Sequence, residues 1–190
     1  MKISDESDLD NLWKIIAEDT EDRGWIGEEY IPARQFDVEG VVRDGEMHVL
    51  SVTEEHYEET AGKFPSSWFL FSPPVPQAWL SILRDTARST LQACGVRNGA
   101  FHCEMRLTDE MRCVPIDYSN RYGYPMMVSA CADVDFVEYY ARTLVGAPFV
   151  LPEVKKNAIF QQYATDLDQR EAYKRLIQDN PGNVIEARML

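Results

Sequence analysis

A chain of 190 residues, 45% of them hydrophobic, is long enough for one sizeable domain and too apolar for a disordered one. Its 32 acidic and 19 basic residues leave a net charge of −13. That excludes nucleic acid as an expected partner, because such binding rests on Lys and Arg neutralising phosphates. No apolar run approaches the roughly 20 residues that span a bilayer. The opening Met1-Lys2-Ile3-Ser4-Asp5-Glu6 leads into an acidic amphipathic stretch and not a secretory signal, so the expectation is a cytoplasmic protein with no membrane partner.

Leu9, Leu12, Trp13 and Ile16 fall at helical spacing and predict a first helix from about Ser4 to Thr20. Trp25 to Ile31 reads as a short strand closed by Pro32. Two strand-like runs, Phe36 to Arg43 and Glu46 to Val52, are joined by Asp44-Gly45, a pair that tolerates the positive φ of a tight turn, and so predict a β-hairpin. Residues 53–75 read as an irregular connection, charged at first and then aromatic and Pro-rich. Pro76 opens a second helix, with Trp79, Leu80, Leu83, Ala87, Leu91 and Cys94 on its inner side and Gly95 at its end. Strands follow from Ala100 to Leu107 and from Arg112 to Tyr118. A third helix starts near Asp135, with Glu138 at capping-box spacing, and runs to Gly146. The remainder holds a strand-like run near Ala158 to Ala164, a helix from about Asp168 to Gln178, a Pro181-Gly182 turn and a final Val184 to Ala187 run. Strands, hairpins and helices in this mixture predict an α+β domain on an antiparallel sheet flanked by helices. The cysteines, Cys94, Cys103, Cys113 and Cys131, show no CxxC spacing and sit in apolar stretches, which predicts reduced, buried thiols.

Chemistry concentrates in the strand pair around residue 104. Strand side chains repeat with period two, so His102, Glu104 and Arg106 face one way and Phe101, Cys103, Met105 and Leu107 the other. If the next strand pairs with this one, Asp117 and Glu104 share a face. Two carboxylates so close repel unless a cation sits between them, and magnesium takes such ligands together with substrate phosphates. Arg121, just beyond, is placed to meet a phosphate with its planar fork. Pro115 lacks a ladder donor, so its strand is expected to be bulged or at an edge.

The block His102-Cys103-Glu104-Met105-Arg106, followed by Asp117-x-Ser119-x-Arg121, resembles the ATP-grasp ligases, which carry a Glu on one strand and an E-x-N-x-R segment on the next. The approach from Cys94 to His102, the helix from Asp135, the hinge-like Glu28-Glu29-Tyr30-Ile31-Pro32 and the hairpin at Asp44-Gly45 resemble the same family in the same order, over roughly Trp25 to Phe149. The resemblance implies an ATP-grasp C-terminal subdomain over residues 1–150 and a partial strand-helix-strand appendage over 151–190. It implies ATP and magnesium as cofactors. Glu104, Asp117 and Ser119 become the metal ligands and Arg121 the catalytic contact to a transferring phosphate. Glu28, Glu29, Tyr30 and Ile31 line the adenine slot. His102 and Arg106 reach a small-molecule carboxylate substrate. The implied reaction activates that carboxylate as an acyl phosphate for attack by an amine.

The chain departs from the family at three of these positions. Gln35 stands where the ribose-binding acid belongs, Glu55 where a basic residue is common, and Ser119 where the family has a metal-binding Asn. Only the first helix precedes the hinge, in place of the family's lysine-bearing strand pair and glycine-rich loop. A homo-oligomer, or a partner chain carrying that Gly-rich, Lys-containing half, is therefore expected. An inactive ATP-grasp-like domain used for binding or assembly is the alternative.

Overall fold

The computed structural model describes residues 3, 5–18, 24–58, 66–123, 126, 134–152 and 159–162, together with Glu171, Lys174, Arg175, Gln178 and Asp179. The chain forms two compact units, Met1–Pro32 and Ala33–Leu190.

The first unit contains helix α1, Glu6–Glu18. Its start is set by Asp5, whose carboxylate accepts from the backbone N–H groups of Ser7 at 2.8 Å and Asp8 at 3.1 Å. The side-chain bond from Ser7, followed by the backbone bond from Asp8, lowers the Asp5 pKa. None of the helix residues is buried. Trp25 to Ile31 forms no strand and enters none of the ladders, a correction to the sequence expectation. Gly24 and Gly27 supply no side chains to pack, and a strand exists only as part of a ladder.

The second unit is built on a sheet in the order β5-β4-β1-β2-β3-β6. Strand β1 is Arg34–Arg43, β2 Glu46–Glu58, β3 Ser66–Phe71, β4 Gly99–Leu107, β5 Cys113–Ser119 and β6 Ile159–Gln162. Every pairing is antiparallel. The β1–β2 turn takes φ of 53° at Asp44 and 87° at Gly45, as the dipeptide predicts. Residues 53–75 differ from expectation, because β2 continues to Glu58 and Ser66–Phe71 forms β3. Two of the acids that made this stretch look like a loop, Glu54 and Glu55, are partnered from β1. Glu54 is 3% exposed and receives two bonds from the Arg34 guanidinium, at 2.6 and 2.7 Å.

Helix α2, Gln77–Ala93, buries Leu83, Ala87 and Leu91 against Phe36, Val38, Phe101, Cys103, Met105 and Leu107. Helix α3, Phe136–Leu144, starts at Asp135, whose carboxylate accepts from Glu138 N–H at 2.9 Å. Phe136 joins Val41, Leu50, Phe69 and Phe71 in a second core. At Gly40 the β1–β2 register shifts, and a Cβ there would lie 2.0 Å from the His48 carbonyl oxygen, so only glycine fits this bulge.

Of the cysteines, Cys103 is buried and Cys113 half-buried. Cys94 is exposed, contrary to expectation, because it sits at the α2 C-cap, beyond the face that packs. Burial pushes the Cys103 thiol up to about 12. Cys131 and the expected Pro181-Gly182 turn and Val184 to Ala187 run lie outside the described residues. In the span expected to be helical after Asp168, Glu171, Lys174, Arg175 and Gln178 are helical, as is Asp179.

Candidate functional site

Antiparallel partners put their side chains on the same face, so the registers define a polar grid across β2, β1, β4 and β5. One row reads Glu55, Gln35, Arg106. The next reads Thr53, Asp37, Glu104, Asp117. The third reads Ser51, Glu39, His102, Ser119. The opposite face of the same strands is the α2 core.

Glu104 and Asp117 are thus direct cross-strand partners, as the sequence expects. The β4–β5 register shifts between Glu104 and Met105, beside Pro115, and β5 is an edge strand of the sheet, so the proline is both bulged and at an edge. Asp117 is exposed, and the Glu104 side chain is 27% exposed. Ser119 pairs with His102. Arg121 lies just past the strand, exposed, and donates to the Tyr122 carbonyl at 2.9 Å.

Gln35 sits at the centre of the first row, 4% exposed. Its amide donates to Glu55 at 2.8 Å and to Glu104 at 3.2 Å, while Arg106 donates to its carbonyl at 3.3 Å. Glu28, Glu29, Tyr30 and Ile31 belong to the first unit, and Gln35 to the second.

His102, 4% exposed, lies between two carboxylates. Its Nδ1 is 3.1 Å from Glu39 Oε1, and its Nε2 is 3.2 Å from Glu104 Oε1. Burial opposes the imidazolium charge. The hydrogen bonds to Glu104 and Glu39, with the field of Asp37, overcome it and raise the pKa to about 10. Glu39, fully buried, also accepts from the Gly123 N–H at 2.5 Å and the Ser51 hydroxyl at 3.4 Å. The Asn120 to Gly123 segment is thereby drawn onto the sheet. A Cβ at Gly123 would lie 2.4 Å from the imidazole ring, so the absence of a side chain lets the loop close on His102.

Asp37 and Glu39 are the residues the sequence reading missed. Their signal is the alternation Gln35, Asp37, Glu39 against Phe36 and Val38, which acquires meaning only once β1 is aligned with His102-x-Glu104-x-Arg106. Asp37 is 1% exposed, and burial first, then the charges of Glu55, Glu104 and Glu39, hold its pKa well above the usual carboxylate range against the opposing effect of His102.

The chain matches the ATP-grasp domain family over residues 5–125 and belongs to it. No curated protein matches it in sequence. Among solved structures it is similar to an L-amino acid ligase from Bacillus licheniformis, with a TM-score of 0.65 and 13% identity over 93% of this chain and 59% of that one. It is similar to an N5-carboxyaminoimidazole synthase from Aspergillus clavatus solved with ADP and an aminoimidazole ribonucleotide, with a TM-score of 0.70 and 14% identity over 94% and 47% of the two chains. An N5-carboxyaminoimidazole ribonucleotide synthetase solved as its ADP complex gives 0.68 and 16% over 98% and 49%. At these identities the likeness is one of fold. The chain spans 47–59% of the length of these proteins.

Proposed function

We propose that this chain provides the magnesium- and ATP-binding portion of a ligase that activates a carboxylate as an acyl phosphate for attack by an amine. The pairing of Glu104 with Asp117, with Ser119 one pair further and Arg121 beyond the strand, carries this reading. Two carboxylates and a hydroxyl are hard oxygen donors, and Asp117, exposed on an edge strand beside the half-buried Ser119, suits a magnesium ion that keeps part of its shell for phosphate oxygens. Glu104, Asp117 and Ser119 would hold that ion, which neutralises charge on the transferring phosphoryl group. The Arg121 fork would grip the phosphate. Glu28, Glu29, Tyr30 and Ile31 would line the adenine, Gln35 would meet a ribose hydroxyl, and His102 and Arg106 would face the carboxylate substrate. A second copy, or a partner chain with a glycine-rich, lysine-bearing segment, would supply the remaining phosphate contacts.

Calorimetric titration with ATP, with and without magnesium, tests this. Magnesium-dependent binding is expected in the wild type and is expected to be lost in the Glu104→Ala/Asp117→Ala double variant. A second reading, an inactive ATP-grasp-like binding or assembly module, is favoured by Gln35, whose amide and carbonyl are engaged by Glu55, Glu104 and Arg106. Failure to bind ATP alone and with a lysine-bearing partner would favour it.

A further inference from the structure

We propose that Asp37, His102 and Glu104 form a binding site for a divalent transition-metal cation of the zinc class, one that needs no nucleotide. The inference goes beyond the nucleotide reading. The magnesium proposed above sits outward, between β4 and the edge strand. This site lies inward, where β4 pairs with the sheet-central β1, and Glu104 stands between the two.

The geometry is that of a ligand set. One ligand atom from each of the three residues lies within 4.8 Å of the others. Asp37 is 1% exposed, and neither of its carboxyl oxygens has a hydrogen-bond partner among the described residues. The Thr53 hydroxyl, on the residue paired with Asp37 across the β1–β2 ladder, is likewise buried without a partner. Buried polar groups are almost always satisfied, and a buried carboxylate without donors is among the costliest exceptions. A cation placed between Asp37 and Glu104 would satisfy one and separate the charges of both.

His102 is built as a ligand. A ligating imidazole characteristically donates its second ring N–H to a carboxylate, which fixes the tautomer and aims the other nitrogen at the metal. Glu39 takes that part here. It faces Nδ1 at 3.1 Å and is itself held by Gly123 N–H and the Ser51 hydroxyl. Nε2 is left facing Glu104 at 3.2 Å, along the line that the cation would take. On binding, the Nε2 lone pair enters the coordination shell, and any proton it carries leaves to solvent. An imidazole nitrogen beside two carboxylates selects zinc, cobalt or nickel over magnesium, which takes oxygen ligands.

The test is calorimetric titration of the nucleotide-free full chain with Zn²⁺, with the histidine ring nitrogens followed by NMR. One equivalent of zinc is expected, with the His102 Nε2 signal moving to the metal-bound range while Nδ1 stays protonated. Asp37→Asn, nearly isosteric and retaining the fold, is expected to weaken binding by about tenfold or more. Glu39→Gln, which acts through the imidazole, is expected to weaken it by about 10–100-fold. No zinc uptake by the wild type, uptake that leaves the His102 ring signals unmoved, or wild-type affinity in Asp37→Asn would each overturn the proposal. Because no nucleotide is present, a failed ATP titration leaves this result standing.

Discussion

Two side chains, His102 and Asp37, carry the electrostatics of the grid, and both have folded-state pKa values above their ordinary ones. The sign of the linkage is the same for both. A raised folded pKa contributes stability that is complete below the unfolded value and is lost as pH climbs through the folded one. For His102 that window runs from 6.5 to about 10. For Asp37 it opens above 3.8. The metal-free protein is therefore expected to lose stability steadily as pH rises from neutral, read as a falling urea midpoint. In Asp37→Asn the fall is expected to be shallower, so its stability relative to wild type grows with pH. His102→Gln leaves Glu39 buried without its counter-charge and is expected to cost about 3–5 kcal/mol at neutral pH. A flat wild-type profile would show that neither shift is present. The sequence put Glu104 on the face of His102 but left the rest of both environments illegible. Asp37 carries no motif, and its shift arises from burial, from Glu39 on its own strand, and from Glu55 and Glu104, 18 and 67 positions away, which only strand pairing brings close.

At the level of elements, the local signals and the long-range ones part company. Asp44-Gly45, Pro76 with Gly95, and Asp135 with Glu138 each act within a few residues, and the hairpin and both helices form where they predict. The 53–75 stretch misleads because Glu54 is partnered from β1 by Arg34, 20 residues earlier. The close approaches are also tertiary. Gly123 looks like an ordinary loop glycine until the segment after β5 is seen folded onto His102. Gly123→Ala would push against an imidazole pinned by two carboxylates, and about 1–3 kcal/mol of destabilisation is expected, with weakened magnesium-dependent ATP binding in the same variant. Gly40→Ala meets a backbone carbonyl that cannot turn aside, so its cost is expected at or above the upper end of that range. Chemical denaturation of the two variants ranks them, and a Gly123→Ala protein as stable as wild type would mean the loop does not rest on the ring.

On the scale of the whole molecule, a net charge of −13 and a grid containing Asp37, Glu39, Glu55, Glu104 and Asp117 repel a nucleotide's phosphates unless cations intervene. Only six lysines occur in the chain. The proposed function therefore leans on metal ions and on cationic groups from a second copy or partner, and self-association or tight partner binding is expected. Sedimentation at increasing concentration checks it, and a strictly monomeric species that binds Mg–ATP unaided would count against the need for a partner. No helix among the described residues is long and apolar enough to cross a membrane.

The sequence by itself determined what depends on neighbours along the chain. Period-two alternation assigned the faces of β4, turn and cap residues bounded the hairpin and helices, and the ordered motifs over roughly Trp25 to Phe149 were enough to name the family. Tertiary structure decided everything that depends on register. A strand's alternation says which residues share its face, and nothing about which residues of another strand lie opposite. Only the β1–β4 and β4–β5 pairings set Glu104 between Asp37 and Asp117, and only the return of Gly123 onto Glu39 locked His102 between two acids. A one-residue slip in either ladder would have turned those side chains to opposite faces and dispersed the site.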